Sequence, residues 1–94
     1  MTPSACNQSA RLFIEFATAE GAVVRMIGLV ERRGFLVRRV AMAEQPCGRR
    51  ATLTLMVEGR DAGRSADVLA LQLGRLHGVG RVETETALIQ DQAA

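Results

Sequence analysis

Two segments of the chain alternate apolar and polar residues with a period of two, which is the pattern of a β-strand with one buried face. They span residues 11–17 and 51–58. The apolar residues on the predicted buried side are Leu12, Ile14, Phe16, Leu53, Leu55 and Val57. A sheet with one apolar face needs a second layer to cover it. The segments that follow these strands are therefore expected to be that layer.

The segment after the first strand has the apolar spacing of a helix. Its apolar residues fall three and four positions apart, which predicts a helix over Ala22–Arg33. The residues of the predicted buried stripe are Val23, Met26, Ile27 and Val30. We expect Thr18 to cap this helix, Gly21 to permit a tight turn before it, and Gly34 to end it in the left-handed conformation.

The remaining elements follow from the same two periods. Phe35–Ala43 reads as a strand whose apolar phase changes at Arg38–Arg39, which predicts a bulge there. A second helix is predicted over Arg64–His77 and a short last strand over Arg81–Thr86. The residues expected to be buried by the second helix are Ala66, Leu69, Leu73 and Leu76.

The predicted element order is βαββαβ, with two right-handed strand–helix–strand crossovers. Because each crossover returns a strand one place away, the two interleave as a ferredoxin-like α+β fold. The expected sheet is antiparallel, with the strand order 4-1-3-2 and both helices on one face. We assign residues 10–86 to this domain, residues 1–9 to a flexible arm and residues 87–94 to a flexible tail.

The second strand lies at an edge of the expected sheet. It is long and carries apolar residues, so an unpaired edge there invites aggregation. We expect it to pair with the same strand of a second copy about a two-fold axis, which would make the protein a homodimer.

Charge and composition argue against several classes of partner. All twelve basic residues are arginine, and ten acidic residues nearly balance them, for a net charge of +2. The chain has no Trp or Tyr on which bases could stack, which disfavours nucleic-acid binding, including RNA binding on the sheet face. No apolar run approaches the roughly 20 residues that span a membrane, and the N-terminus lacks the features of a signal peptide. We therefore expect a cytoplasmic protein.

The cysteines do not indicate a metal or redox site. Cys6 and Cys47 have neither zinc-site spacing nor a CxxC pattern, so two reduced thiols are expected. A small ferredoxin-like enzyme with Cys47 as nucleophile and His77 as base is an alternative reading. The sequence offers no third group to orient such a pair, so no catalytic or metal site is predicted.

Three stretches resemble a known family. Residues 20–23 resemble its loop of a small residue, Gly and an apolar residue that opens a helix. Residues 27–37 resemble its apolar helix ending in Arg-Gly-Phe/Tyr, and residues 70–79 resemble its Gln-Leu-x-Lys-Leu-x-x-Val segment. Together, over roughly residues 11–85, the chain resembles an ACT domain, specifically the compact single-ACT small regulatory subunit of acetolactate (acetohydroxyacid) synthase.

The resemblance implies a non-catalytic subunit in the biosynthesis of the branched-chain amino acids isoleucine, valine and leucine. Such subunits dimerise through their ACT domains and activate a large catalytic subunit that uses thiamine diphosphate, Mg²⁺ and FAD. Those cofactors would belong to the partner, and none is expected in this chain. In many cases the subunit lets valine or another branched-chain amino acid inhibit the enzyme.

The loop before the first helix is the candidate effector site, because amides at a helix N-terminus attract a carboxylate. The candidate ligand-binding residues are Thr18, Glu20, Gly21 and Ala22, with Leu36 and Val37 of a neighbouring chain. A lone glycine is also typical of an ordinary turn.

Valine-sensitive members of the family usually carry Asn at the positions of Thr18 and Leu36. Losing such polar contacts costs about 1–3 kcal/mol each, as much as a typical allosteric coupling, so weak or absent valine feedback is expected.

Four residues are candidate contacts with the large subunit. Leu29 and Leu71 lie off their predicted buried stripes, and Arg38 and Arg39 lie at the predicted bulge. Single exposed leucines are also common on protein surfaces. The alternative function is a free-standing ACT-type amino-acid sensor, which would bind its ligand as a homodimer without a synthase.

Overall fold

The computed structural model describes residues 9–61 and 63–87 as six elements in the order β1-α1-β2-β3-α2-β4. Their bounds are β1 Ser9–Ala17, α1 Ala22–Arg32, β2 Phe35–Glu44, β3 Arg50–Gly59, α2 Ala66–Gly74 and β4 Val79–Ala87. Apart from Ser9 and Ala87, which belong to β1 and β4, the predicted arm and tail lie outside the described residues. No helix among the described residues is long and apolar enough to cross a bilayer.

The four strands form one antiparallel sheet in the order β2-β3-β1-β4. In this sheet Ile14 of β1 lies opposite Leu53 of β3 on one side and Val82 of β4 on the other. The order is the one that two interleaved crossovers require, so the predicted ferredoxin-like βαββαβ fold is confirmed.

The core lies between one face of the sheet and the two helices. The two central strands contribute alternate residues, as the period of two predicts, and Leu12, Ile14, Leu53 and Leu55 are fully buried. The buried residues of the helices are Ala22, Met26, Leu29, Val30, Ala66, Leu69 and Leu73.

Leu29 departs from the predicted stripe of α1. It was expected to lie off the core face, but only 8 % of it is exposed and it belongs to the core cluster. Val23 and Ile27, which the stripe includes, are only partly buried. The buried face of α1 is therefore rotated from the predicted one, toward Leu29 and Met26.

Glycines rather than a side chain define the ends of α1. Gly21 is the N-cap with φ 78°, and no side chain caps the helix, so the predicted Thr18 cap is wrong. The Thr18 hydroxyl instead donates to the Gly48 carbonyl at 2.9 Å, a partner 30 residues away that local sequence cannot reveal. At the other end Gly34 has φ 91°, which confirms the predicted left-handed stop.

The second helix is shorter than predicted because Ser65 caps it. The Ser65 Oγ accepts a hydrogen bond from the Val68 amide at 3.4 Å, and the helix begins at Ala66. After Gly74, i→i−3 bonds from the amides of Arg75 and Leu76 close the final turn.

The predicted bulge in β2 is present. Val37 lies opposite Val57 and Arg39 lies opposite Met56, so Arg38 has no partner residue in the ladder. Its guanidinium pairs instead with the Glu58 carboxylate, at 2.8 Å from Nη2 and 3.0 Å from Nε.

Candidate effector site and sheet edge

The loop between β1 and α1 is fixed to the turn between β2 and β3. The Thr18 amide donates to the Arg49 carbonyl at 2.8 Å, and the Thr18 hydroxyl donates to the Gly48 carbonyl at 2.9 Å. Loop and turn therefore form one unit at this end of the sheet.

The first turn of α1 presents open amides at this loop. The Ala22 amide donates to the Ala19 carbonyl at 3.1 Å and the Arg25 amide to the Gly21 carbonyl at 3.0 Å. The amides of Val23 and Val24 have no acceptor in the described part of the chain. Unfilled donors at a helix N-terminus favour an anionic group, such as the carboxylate of an amino acid.

The side chains around this turn carry both signs of charge. The exposed Glu20 would repel a carboxylate, and the exposed Arg25 would attract one. A Cβ added at Gly21 would lie 3.3 Å from the Arg25 Nη1 atom, so the guanidinium lies directly beside the bare glycine. A side chain at position 21 would push Arg25 away from the loop.

Leu36 and Val37 lie at the other end of the sheet within the same chain. Leu36 is opposite Glu58, whereas Glu44, at the far end of β2, is opposite Ala51 near the loop. At about 3.3 Å per residue, roughly 25 Å of strand separates Leu36 from the loop end. One chain therefore does not bring the two halves of the predicted effector site together.

The outer half of β2 is an exposed edge that carries apolar residues, as the sequence predicts. Val40 and Met42 lie opposite the buried Leu55 and Leu53, so they face the helical side of the sheet. Each is nevertheless 50 % exposed. The alternation along β2 signals their direction, but not that the helices leave them uncovered.

The candidate partner contacts fall in different parts of the molecule. Leu71 is 67 % exposed on α2, and Arg39 is exposed on β2, at the opposite edge of the sheet from the strand that α2 contacts. Arg38 is held by Glu58, and Leu29 is buried. The exposed candidates therefore form no single patch.

The described residues supply no constellation for catalysis or metal binding. Cys47 is exposed in the β2–β3 turn, where its Sγ accepts a hydrogen bond from the Arg49 amide at 3.4 Å. His77 lines a small depression with Phe16 and Leu76. No group of three or more His, Cys, Asp or Glu side chains within the described ranges could hold a metal ion, and Cys6 lies outside those ranges.

The fold is a small ferredoxin-like α+β domain with an open helix N-terminus beside the β2–β3 turn. The family model for the ACT domain matches residues 18–82. The chain therefore belongs to the ACT domain family, whose domains are regulatory and non-catalytic.

Solved structures share the fold at low sequence identity. The ACT domain of GTP pyrophosphokinase from Chlorobium tepidum has a TM-score of 0.68 at 18% identity, covering 84% of this chain and 99% of that one. The C-terminal domain of the MgtC protein from Mycobacterium tuberculosis has a TM-score of 0.66 at 16% identity, covering 93% and 94%.

A homoserine dehydrogenase from Thiobacillus denitrificans has a TM-score of 0.63 at 13% identity; the match covers 90% of this chain and 19% of the enzyme. A comparison with curated protein sequences finds no match. At these identities the likeness to solved structures concerns the fold alone.

Proposed function

We propose that the chain is a regulatory subunit of acetolactate synthase, which activates a large catalytic subunit in branched-chain amino acid biosynthesis. Membership of the ACT family supports a regulatory role. The particular enzyme is supported by the three stretches that resemble its small subunit. Thiamine diphosphate, Mg²⁺ and FAD would be held by the catalytic partner, and the role implies a cytoplasmic protein.

The observation that carries the proposal is the uncovered apolar edge of β2. Its residues 38–44 are all exposed, and Val40 and Met42 show half of their surface to solvent. Unpaired strand edges are templates for another strand. We propose that a second copy pairs there about a two-fold axis, which joins two four-stranded sheets into one and covers the apolar residues.

Such a dimer would complete the effector site. A two-fold axis across β2 runs the second β2 antiparallel to the first. The partner's N-terminal half of β2, with Leu36 and Val37, would then lie beside the C-terminal half of this β2, near Gly21. Amides from one copy would meet the effector's carboxylate, and apolar side chains from the other would meet its aliphatic part.

The polar contacts available to the effector are few. The single donor of the Thr18 hydroxyl is already used by Gly48, and Leu36 has no polar side-chain atom. We propose that the subunit activates the enzyme and transmits valine inhibition weakly or not at all. A micromolar valine affinity in isothermal titration of the full chain would contradict this part of the proposal.

Reconstitution with the large subunit tests the main proposal. We expect acetolactate formation by the cofactor-loaded large subunit to rise several-fold when the chain is added. Val40→Lys should lose this activation if the dimer is the activating form. Cys47→Ser should keep it, because a serine hydroxyl can still accept the hydrogen bond from the Arg49 amide. An unchanged rate with the wild-type chain, together with no co-elution of the two proteins, would refute the assignment.

A free-standing amino-acid sensor is the second candidate. In its favour, the proposed dimer would build both halves of the site from copies of this one chain, so ligand binding would require no third protein. In that case the homodimer would bind an amino acid tightly, and a pull-down from cell extract would recover no thiamine-dependent enzyme.

A further inference from the structure

An open cleft lies between the C-terminal end of α1 and the N-terminal end of α2. Its volume is about 220 Å³, and it has an apolar floor of Phe35 and Leu69, each almost fully buried. Arg33, Arg64 and Gln72 also line it. The cleft therefore has two arginine side chains in its walls and apolar side chains at its floor.

Arg33 is held in place without a neutralising charge. Its Nη2 donates to the Gln72 Oε1 at 3.1 Å, a bond that joins the end of α1 to α2. No carboxylate among the described residues forms an ion pair with it. Its remaining donors are open to a ligand in the cleft.

The Arg64 side chain packs closely against the backbone of Gly34. A Cβ at Gly34 would lie 2.4 Å from the Arg64 Nε and 2.6 Å from its Cζ, so the side chain occupies the space beside this glycine. The Asp61 carboxylate lies 3.4 Å from Nε and neutralises part of the charge. The Nη atoms of Arg64 form no hydrogen bond within residues 9–61 and 63–87.

We propose that this cleft binds the oxyanion of a small molecule, a phosphate or a carboxylate, between Arg33 and Arg64. Of the two guanidinium groups only that of Arg64 has a carboxylate beside it, so the cleft carries an excess positive charge. The planar forks of two arginines match the oxygens of phosphate and carboxylate groups. The apolar floor shields the charges from water on one side, which strengthens their attraction for an anion.

This site is separate from the effector loop. The cleft lies where α1 ends and β2 begins, whereas the loop lies where α1 begins. Anion binding in the cleft therefore requires no dimer, no synthase and no amino acid bound at Gly21.

Amide NMR of the full chain with inorganic phosphate tests the proposal, with acetate as a second arm and sodium chloride holding the ionic strength constant. We expect saturable shifts centred on Gly34, Gly63 and Ser65. A response to phosphate alone identifies a phosphate-bearing ligand, and an equal response to acetate identifies a carboxylate.

Variants locate the binding. Arg33→Gln and Arg64→Gln should each weaken it about tenfold, the usual effect of losing a charge-assisted hydrogen bond. Arg75→Gln is the matched control, since this exposed arginine lies beyond the far end of α2. Asp61→Asn should tighten binding several-fold by removing the competing carboxylate, a gain that misfolding cannot produce.

Two results would overturn the proposal. One is an absence of saturable shifts with both anions. The other is a loss of affinity that is as large in Arg75→Gln as in the two cleft variants, since that would mean unspecific attraction to arginines.

Discussion

Gly34 is the residue at which backbone and side-chain constraints coincide. Its φ of 91° is unfavourable for any residue with a Cβ, and Arg64 fills the space that a Cβ would take. Gly34→Ala should therefore destabilise the protein by roughly 1–2 kcal/mol. Chemical denaturation with circular dichroism would measure the change.

Gly28, inside the helix that Gly34 follows, is the control. It lies inside α1, and a Cβ there meets nothing within 4 Å. Gly28→Ala should raise the free energy of unfolding by roughly 0.5–1 kcal/mol, because alanine loses less backbone entropy than glycine in a helix. Equal effects of the two substitutions would show that conformation at position 34 is not the cause.

The Thr18 hydroxyl forms a long-range hydrogen bond to Gly48 instead of capping α1. Thr18→Val keeps the shape of the side chain but removes the hydroxyl that reaches Gly48. We expect a loss of about 0.5–1 kcal/mol in unfolding free energy, measured by urea titration. Thr54→Val, on the open face of the central strand β3, removes a hydroxyl without a described partner and should change stability by less.

At the level of the elements, the proposed function requires self-association through strand β2. Val40→Lys should weaken self-association about 100-fold, or roughly 3 kcal/mol, because it puts a charge on the apolar edge. Sedimentation equilibrium would detect the shift from dimer to monomer. Val24→Lys is the control, since Val24 is 74 % exposed but lies on α1 and not on the edge strand. A wild-type chain that sediments as a monomer at micromolar concentration would contradict the dimer.

The elements themselves follow closely from local periodicity. Alternation in β1 and β3 predicted their buried faces residue by residue, and the phase change in β2 predicted its bulge. Local patterns succeed here because each strand and helix must turn its apolar side to the same core.

Several features could not be predicted because a distant residue decides the outcome. The Thr18 hydroxyl bonds to a turn 30 residues away, and the exposure of Val40 depends on where the helices end over the sheet. The arginine cleft likewise combines Arg33 and Arg64, which are distant in sequence and belong to different predicted elements. No local spacing could have identified that pair.

For the molecule as a whole, association and stability should be linked. A domain of this size buries a modest share of its surface and is marginally stable alone. If two copies fold together, mass action should raise the midpoint of thermal unfolding by roughly 3 °C for each tenfold increase in protein concentration. Differential scanning calorimetry over a concentration series would measure this, and the Val40→Lys chain should show no such dependence.

The unpaired residue in β2 has a further consequence for how this protein can vary in length. Because Arg38 takes no part in the ladder, a chain without it would have a regular strand with Val40 still opposite Leu55. Deletion at this one point would leave the hydrophobic interior intact and remove only the Arg38–Glu58 pair. We therefore expect the strand to tolerate the loss of this residue, which would change the side chains along its rim while the fold beneath stays the same.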